Sequence, residues 1–142
     1  MRYPDLTVGV QLMGAATGLD YLHSRGIVHG DLKGVSGHTR HAAGSNLHNT
    51  KANILIDSGC SARLADFGLA MIIDGSTTGS TTGGHEPRGT TRWMAPEMLL
   101  PELYGFSKDC QRRLPSTGTD TYALGMTSLE VSVSTELSPE RQ

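Results

Sequence analysis

The sequence has few of the residues and patterns that identify a class of protein by composition. It contains one tryptophan, four tyrosines, two phenylalanines and two cysteines among 142 residues. Cys60 and Cys110 form no C-x-x-C pair and are too few for a disulfide scaffold, so we expect free thiols. No run of about 18 apolar residues could span a bilayer, and residues 1–11 lack the pattern of a signal peptide. These absences favour a cytoplasmic protein without a membrane partner.

The sequence also has no large excess of positive or negative charge. The net charge is −2 at pH 7, and acidic and basic residues are interspersed. Without a basic stripe, the sequence predicts no nucleic-acid partner, and it leaves the oligomeric state open. The length suits one domain with a modest core. The 18 glycines exceed the usual share of about 7%, which indicates that parts of the chain are loop.

Two segments have helical periodicity. Within residues 6–25, apolar side chains recur at steps of three and four, and Gly26 follows where a helix C-terminal cap belongs. The apolar stripe comprises Leu12, Ala15, Ala16, Leu19, Tyr21 and Leu22. Residues 119–133 contain the apolar-rich stretch TYALGMTSLEV, which predicts a second, buried helix.

Between these segments, short apolar runs at residues 54–57 and 62–65 are separated by turn-forming residues. This spacing predicts a small β-hairpin. Residues 74–91 repeat the unit GSTT and contain no apolar side chain, so composition predicts a loop there. The expected fold class is α+β, mainly α.

Three short motifs carry polar side chains suited to chemistry. HGDLK at residues 29–33 follows an apolar stretch, Asn53 opens the predicted hairpin, and DFG at residues 66–68 closes it. These acids, amide and lysine suit a metal–phosphate site, because magnesium prefers hard oxygen ligands and a lysine can neutralise a transferring phosphoryl group. Each motif alone also occurs by chance, and an isolated D-F-G is most often a turn.

Taken in order, with A-P-E at residues 95–97, these motifs resemble the eukaryotic protein kinase family, in which H-R-D-L-K-x-x-N, D-F-G and A-P-E follow one another. The resemblance covers about residues 6–34, 52–72 and 88–133. It implies a partial protein kinase domain, namely a kinase-like C-terminal lobe with a small β-hairpin. The small lobe and the terminal helices of that family have no counterpart in these residues.

The resemblance also implies a role for each matching residue. Asp31 would be the catalytic base that accepts the proton of a substrate hydroxyl, and Lys33 would steady the transferring phosphoryl group. Asn53 and Asp66 would hold Mg²⁺, and Gly68 would permit the turn of the metal-binding loop. ATP and Mg²⁺ are then the expected cofactors, and a protein with an acceptor serine or threonine is the expected partner.

Individual residues refine the resemblance. Lys33 and Thr90 match serine/threonine kinases, and Trp93 with the wording HGDLKG resembles the tyrosine-kinase-like branch. Asp120 matches the acid that holds the backbone of the catalytic loop. Gly30 departs from the family, because much of it has an arginine there that pairs with a phosphorylated activation-loop residue. That switch is therefore expected to be missing.

Residues 35–51 separate the halves of the catalytic loop. Removing these 17 residues leaves HGDLKG-ANILID, the usual family spacing. The segment can be a translated intron, since its first and last residues are compatible with splice-site codons, or a genuine loop insertion. We expect a disordered excursion that costs about 1.3 kcal/mol in loop closure. Catalysis should suffer more than folding, because a displacement of about 1 Å can cost about a hundredfold.

The catalytic parts that precede this loop in the family have no match in the sequence. No G-x-G-x-x-G or V-A-I-K motif is found, and residues 134–142 form a polar tail outside the resemblance. We therefore expect a serine/threonine kinase family member that is catalytically incomplete by itself. The alternative is a catalytically silent kinase-like interaction module or a non-functional truncated product.

Overall fold

The computed structural model describes residues 4–36, 52–73, 91–106 and 115–136. Helices dominate this part of the chain. The helical segments are α1 (Pro4–Ser24), a 3₁₀ turn (Thr91–Trp93), α2 (Pro96–Leu99), a second 3₁₀ turn (Pro101–Tyr104) and α3 (Thr117–Glu136).

The strands are short and form two small sheets. They are β1 (Ile27–Val28), β2 (Val35–Ser36), β3 (Ile54–Ile56), β4 (Ala62–Leu64) and β5 (Met71–Ile72). β1 pairs antiparallel with β5, while β3 lies between a parallel β2 and an antiparallel β4. The mixed architecture with predominant helix confirms the expected α+β class at this coarse level.

Helix α1 ends as its sequence predicts. Gly26 has φ +68° and its N–H donates to the carbonyl of His23 at 2.9 Å, which closes the last turn. Along the helix, Ala15 and Leu19 are buried. Tyr21, which we had assigned to the apolar stripe, is 59% exposed, so that assignment was wrong. The buried stripe is thus narrower than the sequence suggested.

The predicted hairpin is confirmed as β3 and β4, with Ile54 opposite Leu64. Its turn is organised by Asp57, whose Oδ1 accepts hydrogen bonds from the backbone N–H groups of Gly59 and Ser61, both at 2.9 Å. An aspartate that bonds to the backbone two residues ahead is a common turn former.

Helix α1 packs against β4 of the three-stranded sheet, and α3 packs against α1. Gly18 of α1 lies so close to β4 that an added Cβ would be 3.4 Å from Leu64. The buried apolar cluster comprises Ala15, Leu19, Leu32, Ile54 and Ala123. This cluster draws on both long helices, the HGDLK loop and β3, and so it fixes the loop relative to the hairpin.

Strand β2 was not predicted. Val35 pairs with Ile54 and packs, partly buried, against the apolar cluster. The expectation of a disordered excursion was therefore wrong for Val35 and Ser36, because hydrogen bonding to β3 and apolar contact order them. Residues 37–51 of the inserted segment lie outside the described residues, as do residues 74–90 of the predicted loop.

Helix α3 begins with a reciprocal cap. The Ser116 hydroxyl accepts from the Thr119 N–H at 3.3 Å, and the Thr119 hydroxyl accepts from the Ser116 N–H at 2.9 Å. One face is buried, as predicted, whereas Leu129 and Val133 are exposed. Within the described residues, neither this helix nor any other is long and apolar enough to cross a membrane.

Candidate functional site

The HGDLK loop leaves β1 and places a carboxylate beside an ammonium group. Lys33 Nζ lies 2.5 Å from Asp31 Oδ2, and the two side chains are 14% and 13% exposed. A pair with this limited solvent contact is screened less than a surface salt bridge. The loop thus presents Asp31 in a fixed orientation rather than as a freely rotating acid.

Asn53 joins this pair from the start of β3. Its Nδ2 donates to the main-chain oxygen of Asp31 at 2.6 Å and to Asp31 Oδ2 at 3.2 Å. Its backbone N–H donates to the Lys33 carbonyl at 2.8 Å. The structure therefore unites three of the predicted site residues. These contacts are present although the insertion separates Asn53 from Asp31 and Lys33 in the sequence.

The DFG segment follows β4 and is tied to the same centre through its preceding residue. The backbone N–H of Ala65 donates to the Asn53 carbonyl at 2.9 Å. Asp66 is exposed and has φ +62°, and its Oδ1 accepts a long, 3.4 Å hydrogen bond from the Gly68 N–H. The predicted turn at Gly68 is thus present. One chain of described contacts links Asp66 to Asp31 through Ala65 and Asn53.

His29 connects the HGDLK loop to the DFG segment. It is fully buried, and its Nε2 lies 3.0 Å from the Ala65 carbonyl. Its Nδ1 accepts a weak bond from the Asp31 N–H at 3.4 Å, which leaves Nε2 as the protonated, donating nitrogen. The His29 ring also lies 5.1 Å from that of Phe67. Sequence reasoning quoted His29 only as part of a motif and missed this bridge.

The carboxylate of Asp120, in α3, holds the backbone of the HGDLK loop. It is 1% exposed, and its carboxylate accepts hydrogen bonds from the backbone N–H groups of His29 at 2.8 Å and Gly30 at 2.9 Å. The structural role predicted for this acid is confirmed. His23 of α1 also contacts it, a residue that the sequence analysis did not select.

Gly30 has a conformation and a surrounding that exclude a side chain. Its φ is +79°, and an added Cβ would lie 2.7 Å from the carbonyl oxygen of Leu69 and 3.1 Å from Pro115. The left-handed conformation and the close approach of backbone both require glycine in this arrangement. The space next to the loop is therefore occupied by the chain that follows the DFG segment.

A shallow recess opens beside the Asp31–Lys33 pair. Trp93, Met94 and Met98 also line this recess, so its lining combines charged and apolar side chains. The indole Nε1 of Trp93 is buried and has no hydrogen-bond partner among the described residues.

The donor atoms fit a magnesium ion that also binds phosphate. Asn53 uses its amide nitrogen for Asp31, so it can bind a cation only through its oxygen, and Asp66 offers an exposed carboxylate. Both are the hard oxygen donors that Mg²⁺ prefers. The described residues contain no cluster of three or more His, Cys, Asp or Glu side chains that could hold a metal. A cation here would take its other ligands from phosphate and water, as Mg²⁺ commonly does.

Comparisons with known proteins identify the family of the chain. The sequence model described as the protein kinase domain matches residues 50–142. The chain belongs to the protein kinase family. The matched range includes Asn53 and the DFG segment, and the HGDLK loop precedes it.

Individual kinase relatives align over more of the chain. Cytokinesis protein sepH of Emericella nidulans is 33% identical over 130 residues, covering 92% of this chain and 7% of the relative. Mitogen-activated protein kinase kinase kinase 3 of Arabidopsis thaliana is 34% identical over 107 residues, covering 75% and 14%. Serine/threonine-protein kinase pakF of Dictyostelium discoideum is 32% identical over 114 residues, covering 80% and 7%.

The chain spans between 7% and 14% of the length of these three relatives. The second and third relatives are named as protein kinases, and pakF is named as a serine/threonine-protein kinase. The tyrosine-kinase-like branch suggested by Trp93 stays a prediction.

Proposed function

We propose that these residues are the catalytic-loop part of a protein serine/threonine kinase that transfers the γ-phosphate of ATP to a protein hydroxyl. The observation that carries the proposal is the joint contact of Lys33 and Asn53 with one carboxylate oxygen of Asp31. A turn without a catalytic role rarely needs a carboxylate, an ammonium group and an amide in contact with one another. The described helices and hairpin are, in this proposal, part of the large lobe.

Asp31 acts as the proton acceptor. Lys33 and Asn53 both contact Oδ2, so this oxygen is held, and we assign proton acceptance to Oδ1. A base must lie within hydrogen-bonding reach of the hydroxyl it serves, and Asp31 lines a small recess at which a substrate hydroxyl would meet it.

In this proposal, positive charge comes from Lys33 and from a Mg²⁺ ion that Asn53 and Asp66 would hold. The Lys33 ammonium neutralises charge on the phosphoryl group as it moves, and such charge stabilisation adds to positioning in this reaction. Asn53 and Asp66 would hold Mg²⁺, and the ion would neutralise charge on the ATP phosphates. Positioning then depends on the hydrogen bonds that fix Asp31.

The 142 residues are proposed to need further kinase parts for turnover. The sequence has no glycine-rich G-x-G-x-x-G motif to cover ATP phosphates. In the family this cover aligns the phosphates, and alignment is most of what the enzyme contributes. We therefore propose that the chain by itself is catalytically incomplete. A serine or threonine acceptor is favoured by Lys33, two positions after the base.

The experiment completes the kinase and then removes its base. A chimera would join residues 1–142 to the small lobe and terminal helices of a related serine/threonine kinase. Transfer of labelled phosphate from ATP to matched peptides with serine, threonine or tyrosine would be measured with Mg²⁺. The chimera should phosphorylate serine and threonine, and Asp31→Asn, which keeps the size of the side chain, should reduce turnover by at least about a thousandfold.

Two results would contradict the proposal. The first is a folded chimera that binds ATP but transfers no phosphate, which would favour a silent interaction module. The second is turnover that survives Asp31→Asn unchanged. Kinase-like turnover by residues 1–142 alone would refute the proposed incompleteness, although it would leave the assigned reaction standing.

A further inference from the structure

His23 lies at the end of α1 and reaches across to α3. Its Nε2 is 2.9 Å from Asp120 Oδ2. The side chains are 17% and 2% exposed, so water has little access to the contact. The two residues are 97 positions apart in the sequence, and their contact connects the two long helices.

The same carboxylate holds the two residues that precede the proposed base. Asp120 Oδ2 accepts from the His29 N–H, and Oδ1 accepts from the Gly30 N–H. Oδ2 is thus shared between His23 and the His29 backbone. The orientation of the carboxylate plane therefore determines where both N–H groups lie, and Asp31 follows directly along the chain.

A buried carboxylate needs these donors for orientation as well as for solvation. The terminal torsion of aspartate is broad, so the side chain has no strong intrinsic preference for one orientation of its plane. Three N–H groups fix it here: two from the loop itself and one from His23. Of the three, His23 alone belongs to an element outside the loop. It provides a reference that does not move with the loop.

We infer that His23 is a positioning residue for phosphoryl transfer: it orients Asp120, which fixes the His29 and Gly30 backbone and thereby Asp31. This inference rests on the proposed kinase function. The role needs a donor at the position of Nε2. A helix-joining role would need only a side chain of suitable size.

Substitutions at position 23 can distinguish the positioning role from a simple packing role. His23→Gln keeps a donor near the position of Nε2. His23→Asn keeps an amide of the same chemistry but cannot extend as far, and His23→Leu removes the donor while retaining bulk. Positioning predicts that the glutamine variant alone behaves as the parent does, whereas simple packing predicts that leucine does so.

The first measurement uses the full 142-residue chain and needs no catalysis. Amide hydrogen exchange at His29 and Gly30 would be followed by NMR, relative to the Asp57 amide, which donates to the Ser61 carbonyl and is independent of Asp120. Exchange at both loop amides should rise about tenfold in His23→Asn and in His23→Leu, and stay within about threefold of the parent in His23→Gln. Equal rates in all four proteins would overturn the inference, and so would unprotected loop amides in the parent.

The second measurement tests the consequence for the reaction. In the completed chimera, His23→Asn should lower kcat about tenfold with little change in the peptide KM, and His23→Gln should restore kcat. An equal loss in both variants, or a change in KM alone, would contradict positioning. If the parent chimera were inactive, the kinase proposal would fail, while the exchange rates would still decide whether His23 orients the loop.

Discussion

The side-chain amide of Asn53 donates to the main-chain oxygen of Asp31 at 2.6 Å although the two residues are 22 positions apart. The backbone N–H of Asn53 also donates to the Lys33 carbonyl, so two hydrogen bonds join the residues on either side of the inserted segment. The inserted residues therefore leave the base of the catalytic loop closed, and the site keeps its contacts despite the long connection.

The closing contact should be measurable through stability. Asn53→Ala removes both donors to Asp31 and leaves its buried carbonyl without that partner, so the free energy of unfolding should fall by about 1–3 kcal/mol. Urea unfolding of the parent and the variant measures it. Ser58→Ala, at an exposed turn position, is the control and should change the value by less than about 0.5 kcal/mol. Similar effects at both positions would show that the Asn53 bonds do not form in solution.

Glycine at position 30 should be required by contact as well as by conformation. Gly105 is a matched control, since its φ is +76° but an added Cβ would meet nothing within 4 Å. Gly105→Ala should lower the free energy of unfolding by about 1 kcal/mol, because alanine disfavours the positive φ. Gly30→Ala should lower it by about 1–3 kcal/mol more, because its Cβ also overlaps the Leu69 carbonyl. Thermal unfolding compares them. Gly30→Arg, the common family residue, should destabilise too, and a stabilised arginine variant would refute the close approach.

The parts of the fold that repeat a local pattern could be predicted from sequence. Helix α1 with its glycine cap and the β3–β4 hairpin follow from periodicity and turn chemistry, which depend on near neighbours. The Asp120 contact followed from family resemblance alone. The bonds of His23 to Asp120 and of His29 to the Ala65 carbonyl could not be predicted, because they join residues 97 and 36 positions apart and a single histidine has no periodic signal.

The hairpin turn should lose stability in acid. The pKa of Asp57 is lowered from its ordinary value of 3.8 by the hydrogen bond from the Ser61 N–H first, and then by the Arg63 side chain. A lowered folded-state pKa contributes stability above pH 3.8 that is lost as pH falls through the folded value. Asp57→Asn lacks this ionisation. The stability advantage of the parent over the variant should therefore shrink below pH 3.8, and an advantage constant down to pH 2 would contradict the turn geometry.

Exposed apolar side chains should limit the solubility of the isolated chain. Val10 and Met13 are 63% and 68% exposed on one face of α1, whereas Leu19 of the same helix is 4% exposed. Met13→Lys should reduce light scattering and change stability by less than about 0.5 kcal/mol. Leu19→Lys, the matched buried substitution, should unfold the chain, since a buried charge has no partner there. A cooperative, fully soluble Leu19→Lys variant would show that the described core does not form.

Strand β2 changes what removal of the inserted segment should do. Parallel neighbours need a connection of about a dozen residues or more, so β2 can pair with β3 only while residues 37–51 are present. Deleting residues 35–51 thus removes the long loop and the Val35 packing together. Val35→Ala in the parent isolates the packing contribution, which we expect to be about 1 kcal/mol for a partly buried valine.

Deletion of residues 35–51 should therefore leave stability within about 1 kcal/mol of the parent, because the loop-closure gain of about 1.3 kcal/mol is offset by the lost Val35 contact. If Val35→Ala does not change the free energy of unfolding, the deletion should raise that free energy by the full loop-closure contribution. Turnover of the completed chimera should rise by less than about tenfold, since Asn53 already contacts Asp31 and Lys33 in the parent. Urea unfolding and peptide phosphorylation measure the two effects. A gain of about a hundredfold would mean that the insertion displaces Asn53 in solution, as the sequence alone led us to expect.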